Sequence, residues 1–387
     1  MKKKKVLMWM SVSNLKPIGG PSGYLYNIYD YVNKTDEITN IDFLPPSKNK
    51  PNFISKVISF LVQNFSLIRF WSLKTHLLKK NNVLFDIDLS CYDIIHFHDT
   101  ISLFMARDLI DNFNGLILLT SHSPQPLHLE YMENECSSFT TNQTKTLINI
   151  LELIDKFSFL RADYVMFPCE EAKDPYKKWS FFDKTINIKE DKFFYCPTGT
   201  KDFFMVDNRD KIRRKYNIGN KDFLISYVGR HNLIKGYDNL KIIGKKILNQ
   251  HNNVYFIVAG KEGPIKRLNH KRWIEVGYTN DPHSLINASD LFILPNKQTF
   301  FDLILLEVLS IGTKIMATYT GGNKFFKKFE NINLIYYKNT NDAIRKINSL
   351  ITDESSYDKK INREIFKTNF TTSKFLLNYN NVINTLK

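Results

Sequence analysis

Cysteine is scarce in this chain. Cys91, Cys136, Cys169 and Cys196 are the four in 387 residues, set far apart and without metal-ligand spacing. That excludes a disulfide-stapled scaffold and makes reduced thiols in the cytoplasm the expectation. Long apolar runs are also missing. The opening MKKKKVLMWMSV is basic, but its apolar stretch is short and continues into a predicted strand, so no secretory leader is expected. Acidic residues fall short: 39 Asp and Glu face 54 Lys and Arg, a net charge of +15. Such basicity calls for a polyanion partner, whether nucleic acid, acidic substrate or anionic membrane. Zinc-finger spacing, an RNP-type aromatic motif and a basic heptad region are all absent, so nucleic acid is not the expected partner. His-rich clusters and a DxD-like pair in a suitable loop are absent too, and no metal is expected. There is no internal repeat and no low-complexity tract.

What is present is a regular alternation. Apolar, β-rich runs predict strands near residues 4–11, 40–45, 92–97, 115–121, 163–168, 192–196, 223–228, 254–260, 273–277, 291–295, 313–317 and 333–337. Helical patterns fill most of the gaps, for example 22–33, 100–112, 145–162, 236–250, 302–311 and 340–350, with a last one at 372–386. Strands alternating with helices give an α/β fold of parallel sheets covered on both faces. The length exceeds what one core organises and predicts two doubly wound domains of about 200 residues each. Turn residues in PTGTKDFF place the boundary near 197–205.

The chemistry concentrates in residues 224–325. LISYVGRHNLIKGYD opens a strand into a loop carrying Arg230 and Lys235 in Gly-Arg-x4-Lys-Gly. A departing diphosphate gains negative charge as its bond breaks, and a site that releases it needs fixed cations and backbone donors. Arg forks onto two phosphate oxygens while Lys acts as a mobile point charge. Helix N-termini supply unpaired amides, and the strand DLFILP followed by DLILLEVLS puts one near Phe301 to Leu303. TGGNKFF adds a glycine-lined loop at Gly321 and Gly322. In open parallel sheets, loops at the carboxyl ends of strands gather around the ligand. A nucleotide diphosphate is the expected occupant.

These pieces resemble the retaining GT-B glycosyltransferases of the group that includes phosphatidylinositol mannosyltransferases and bacterial capsule and lipopolysaccharide transferases. The resemblance runs in order through KKVLMWM and GGPSGYLYNIYDYV, YDIIHFHDT, LILLTSHS, YCPTGTKDFF, the Gly-Arg-x4-Lys-Gly loop, Gly277-Tyr278 and ASDLFILPN. It implies two Rossmann-like domains facing across a cleft: residues 1–200 on the acceptor side, and 201–371 holding a nucleotide diphosphate sugar. The final helix, about 372–387, would pack back on the first. The implied activity is transfer of a sugar to a glycan or lipid-linked acceptor in bacterial surface polysaccharide synthesis, such as capsule or lipopolysaccharide. No cofactor is implied beyond the sugar nucleotide itself.

The same resemblance assigns roles to single residues. Arg230, Lys235, Glu307 and Tyr278 bind the nucleotide, and Gly19 and Gly20 approach the donor or acceptor from the first domain. His122 stands beside the scissile bond. His98 and Asp99 shape the acceptor side. Tyr24 occupies about the place where the family often has a histidine or basic residue. The family's Glu-x7-Glu motif is altered: Glu307 matches its second acid, Thr299 stands at its first, and Asp302 replaces its interior glycine. The sugar-side role then passes to Asp302 or to the Thr299 hydroxyl, unless Asp302 is simply a helix N-cap. His122 has a plainer reading as a hydrogen-bonded histidine at a strand end, and His96 as a structural one. Two other activities fit the same fold, a nucleotide-sugar 2-epimerase and a non-catalytic sugar-nucleotide-binding subunit.

The basic excess has its own location. No acidic residue occurs from Pro45 to Phe85, where Lys56, Arg69, Lys74 and Lys79 interleave with Phe60, Phe65, Phe70 and Trp71. Such a segment is suited to an anionic membrane surface, with its apolar face below the headgroups. Its cations interrupt the apolar stretch well short of the roughly 20 residues a spanning helix needs. The expectation is a cytoplasmic protein, peripheral on the inner face of the cell membrane. An amphipathic core helix with a solvated basic face is the alternative.

Overall fold

The structure is a computed structural model that describes residues 3–10, 20–35, 40–44, 66–79, 88–134, 139–203, 208–353 and 358–387. Gly19 and most of the acid-free stretch, 45–65 and 80–85, lie outside the described residues. The chain divides into two compact units: Met1–Cys196 together with Leu377–Lys387, and Pro197–Leu376.

Each unit holds a six-stranded sheet in which all paired neighbours run parallel. The first contains β1 (Val6–Trp9), β2 (Ile41–Phe43), β3 (Ile94–Phe97), β4 (Leu116–Leu119), β5 (Tyr164–Phe167) and β6 (Phe193–Tyr195), in the order β2-β1-β3-β4-β5-β6. The second contains β7 (Phe223–Val228), β8 (Val254–Ala259), β9 (Trp273–Gly277), β10 (Leu291–Leu294), β11 (Ile315–Thr318) and β12 (Leu334–Tyr337), in the order β12-β11-β10-β7-β8-β9. The central strands are buried from end to end, as in VLMW, IIHF and LFIL. Continuous apolar runs are what a parallel sheet covered on both faces requires. All twelve predicted strands are present, with ends moved by up to two residues.

Two helices depart from the pattern for local reasons. Thr141–Arg161 begins four residues earlier than predicted because Thr140 and Gln143 form a reciprocal capping box. The helix predicted over 100–112 is interrupted at Ala106, whose φ of −84° and ψ of 4° leave helical geometry, giving Thr100–Met105 and Arg107–Ile110.

Strand order decides where ligands can sit. In the first sheet the order reverses between β1 and β3, and in the second between β7 and β10. At such a switch point the two adjacent loops leave on opposite faces and open a crevice at the carboxyl edge. Arg230 and Lys235 follow β7, and Asn296 to Asp302 follow β10. Below them the core packs Ile225, Tyr237, Leu240, Ile243, Phe256, Val258 and Ile293.

The loop after β7 is pressed onto the end of β10. Gly236, the N-cap of the helix Tyr237–Gln250, has φ 64°, and a Cβ there would lie 1.7 Å from the Pro295 carbonyl oxygen. Gly236→Ala is expected to destabilise the protein by about 2 kcal/mol, from positive φ and the forced separation of the two loops. Urea unfolding of the variant beside the parent measures it, and an unchanged midpoint would contradict it.

Candidate functional site

In the second unit, Arg230 is exposed and makes no ion pair among the described residues. Its carbonyl accepts from the Tyr227 hydroxyl at 3.0 Å, which holds the loop through its backbone. The Lys235 amide donates to Asn232 Oδ1 at 2.9 Å, and its ammonium lies 2.6 Å from Asp302 Oδ1. The other Asp302 oxygen accepts from the Asn296 side-chain amide. Asp302 does occupy the N-cap position of the helix Leu303–Ile311, but its side chain makes no capping bond. Its carboxylate is turned to Lys235 and Asn296, so the plain N-cap reading is corrected. The first turn of that helix keeps amide donors without a side-chain partner, the arrangement an anion needs.

Thr299 is buried, and Gly321, at φ 42°, passes so close that a Cβ would lie 2.1 Å from the Thr299 carbonyl oxygen. Phe301 does not present its ring to solvent; it packs with Phe325, Phe326 and Phe370. Leu303 is the first residue of the helix, one position later than the sequence predicts. Glu307, on the same helix, stands 3.0 Å from His283 Nε2. The His283 ring is stacked on Phe203, centroids 3.9 Å apart and 14° between planes. Tyr278, on the turn after β9, is 70% exposed. The structure thus joins Lys235 to Asp302 and places Glu307 one turn further along the same helix, while Tyr278 stands apart on the surface.

His283 and Asn296 were not singled out from the sequence. Asn296 had a signal: it is the first polar residue past the apolar run LFILP. His283 had none, because its meeting with Glu307 spans 24 residues and depends on how two helices lie.

In the first unit the histidines gather at the carboxyl ends of β3 and β4. His96 and His98 share one face of the extended chain, their rings 4.0 Å apart. His96 Nδ1 is 2.9 Å from the Tyr379 hydroxyl and its Nε2 is 2.9 Å from Thr120 Oγ1, so this ring is held on both sides. His98 Nδ1 is 2.9 Å from His122 Nε2, and His98 Nε2 is 3.0 Å from the Met8 sulfur. A thioether sulfur only accepts. Nε2 of His98 therefore carries the proton, Nδ1 accepts from His122 Nε2, and the His122 Nδ1 is left as the unprotonated nitrogen. Tyr24 covers the pair, 4.6 Å from the His122 ring and 5.6 Å from that of His98. The backbone at His122 has φ 53°, a left-handed turn that swings the ring back toward β3. Asp99 is committed to its own helix, accepting from the Ser102 amide and hydroxyl at 2.5 Å each. Gly20 has φ 81° and precedes Pro21, the first residue of the helix Pro21–Lys34.

Burial keeps these rings neutral. It pushes His96 and His98 well below the usual imidazole range and His122 down to about 3, with neighbouring histidines adding to the effect at His96 and His98. The unfolded chain gains protons on these rings below the ordinary value of 6.5, while folded His122 resists until about 3. Stability from this source is complete above 6.5 and is lost as pH falls from there toward 3. Urea midpoints followed from neutral pH down to about pH 4 are expected to fall more steeply for the parent than for His122→Asn. Parallel curves would show that the ring is not held neutral.

Residues 208–367 match the family model Glycosyl transferases group 1. The O-antigen biosynthesis glycosyltransferase WclY of Escherichia coli is 24% identical over 229 residues, which take in 54% of this chain and 63% of that protein. The match thus spans less than two thirds of the curated relative. Among solved structures, the sucrose-phosphate synthase of Thermosynechococcus elongatus aligns with a TM-score of 0.66 at 15% identity, covering 99% of this chain and 98% of that one. HepE of Anabaena, solved in complex with UDP-glucose, aligns with a TM-score of 0.65 at 14% identity, covering 99% and 100%. At these identities the likeness to solved structures is one of fold. The chain has the two-sheet α/β fold of the GT-B glycosyltransferases, and its second unit is similar, over residues 208–367, to the glycosyl transferases group 1 family.

Proposed function

We propose that the protein is a glycosyltransferase that moves a sugar from a nucleotide diphosphate sugar to a glycan or lipid-linked acceptor in bacterial surface polysaccharide synthesis, with retention of anomeric configuration. The observation that carries this is the loop after β7. It carries Arg230 and Lys235 at the switch point of the second sheet, and Lys235 reaches Asp302 at the start of the helix Leu303–Ile311, which has no side-chain cap. Two cations and a positive helix end at one strand edge fit a diphosphate better than any neutral ligand. The O-antigen role of WclY and the UDP-glucose complex of HepE support the choice of acceptor pathway and donor class.

In the proposed reaction the bond between the sugar's anomeric carbon and the diphosphate oxygen breaks, and Arg230, Lys235 and the helix amides take up the developing charge. The acceptor hydroxyl oxygen bonds to the anomeric carbon on the same face, and its proton passes to the departing phosphate oxygen. Glu307 receives the ribose hydroxyls. Asp302 receives a sugar hydroxyl, with Thr299 beside it on the same loop. His122, neutral and with its Nδ1 unprotonated, orients a hydroxyl rather than removing a proton. The fixed cations do the work a metal would otherwise do, so chelators are expected to leave turnover intact.

The test is incubation with a panel of nucleotide sugars, following slow donor hydrolysis. Nucleotide release is expected with one donor class. Arg230→Ala and Lys235→Ala are each expected to lower it by roughly a hundredfold, the scale for losing one charge-stabilising group. Isomerised sugar without release, or binding without turnover, would overturn the assignment.

We further propose an anionic membrane surface as a partner. The helix Ser66–Leu78 buries Phe70 and Leu77 in a cluster with Leu147, Leu151 and Ile154. Leu67, Ile68, Trp71 and Leu78 stay exposed, and Lys74 lies 4.8 Å from the Trp71 ring centroid. Apolar anchors mixed with cations suit the headgroup layer. Pelleting is expected with vesicles containing phosphatidylglycerol and not with phosphatidylcholine alone, and Trp71→Ala with Lys74→Ala should abolish it. Equal behaviour with both lipids would exclude the membrane role.

A further inference from the structure

We propose that Asp302 sets the selectivity of the phosphate site, occupying Lys235 whenever no phosphate is bound and so favouring an intact sugar nucleotide over a free diphosphate. This rests on the reading of the loop after β7 as a diphosphate site.

The placement of Asp302 is what points to this role. It stands at the N-cap of the helix Leu303–Ile311 with φ −74° and ψ 116°, where an aspartate ordinarily accepts from the helix's own amides. Here it does not. One carboxylate oxygen lies 2.6 Å from Lys235 Nζ and the other accepts from Asn296 Nδ2. The ion pair is mostly sheltered, with side-chain exposures of 28% and 13%. Asn296 itself is fully buried, and its Oδ1 has no hydrogen-bond partner among the described residues. An amide so placed fixes the carboxylate and leaves an acceptor nearby without a donor.

The consequence is competition. A phosphate reaching Lys235 must displace Asp302 or share the ammonium with it, and two anions close together in a sheltered site repel. A free diphosphate offers the displaced carboxylate nothing in return. An intact donor does: its sugar hydroxyls can donate to Asp302 and to Asn296 Oδ1, restoring the bonds the phosphate took away. The same residue then weakens the hold on the diphosphate product once the sugar has left. Arg230 is outside this arrangement and stays available to phosphate throughout.

The experiment uses inorganic pyrophosphate, titrated calorimetrically into the full chain, so that neither base nor sugar identity matters. Asp302→Asn keeps the size of the side chain and its bond to Asn296 within reach while removing the charge. It is expected to bind pyrophosphate roughly tenfold more tightly than the parent, a typical coupling between competing groups. Lys235→Ala is expected to bind it more weakly, and Asp302→Asn added to Lys235→Ala should restore little, since the competed cation is gone. If Asp302→Asn binds pyrophosphate equally or more weakly, Asp302 only positions Lys235 and the proposal falls. If neither the parent nor any variant binds it, the phosphate-site reading fails and takes the proposal with it. Circular dichroism of each variant confirms the fold before either result is scored.

Discussion

The second unit depends on backbone touching backbone. Where the loop after β7 meets β10 and where the loop after β11 crosses the one after β10, a single Cβ at Gly236 or Gly321 would enter a carbonyl oxygen. These approaches are what let groups far apart in sequence share one site. Lys235 and Asp302 are 67 residues apart and meet at 2.6 Å. No side-chain interaction could compensate for moving those loops apart, because the ion pair and the neighbouring helix start are both defined by where the loops lie. Polar side chains then secure what the glycines allow: Asn232 accepts from the Lys235 amide and Thr318 donates to the Asn296 carbonyl.

Charge is divided between the two units by burial. The histidines at the edge of the first sheet are packed ring to ring, hydrogen-bonded and neutral, and they form a set of oriented donors and acceptors without net charge. Arg230 and Lys235 in the second unit remain at or near the surface. The proposed transfer of a sugar from a diphosphate would draw on both kinds of surface. Cations must meet the leaving group, and neutral hydrogen-bonding groups must orient hydroxyls without trapping them as salts.

Much of this was legible in the sequence, and the limits are physical. Strands such as LISYV and LFIL announce themselves because a parallel sheet buried on both faces leaves no polar alternation to confuse the pattern. Gly-Arg-x4-Lys-Gly was readable because a loop at the end of a strand is a local object. The partners of its residues were not. Asp302 had two readings, cap or sugar ligand, and the structure gives it a third set of bonds across the switch point. The stacked His283 and Phe203 were invisible, since neither sits in a motif and their contact crosses 80 residues of chain. The tie between His98 and Met8 was equally hidden, because it depends on β1 lying beside β3.

The same contacts bear on where the acidic residues of this segment stand. Relative to the pattern this chain resembles, one carboxylate is missing at Thr299 and one has appeared at Asp302. The number of acids is unchanged, but the first has moved three residues toward the helix and toward Lys235. Thr299 is buried under Gly321, where an ionised glutamate would need partners that the tight backbone contact leaves little room for. At the helix start the acid finds Lys235 and Asn296, while Glu307 finds His283. Each carboxylate of the segment therefore has a basic partner within the second unit, Lys235 for Asp302 and His283 for Glu307. Along this sequence the acid therefore stands at the helix start rather than at buried Thr299 on the loop before it, and the desolvation cost of holding a carboxylate there is offset by the ammonium of Lys235.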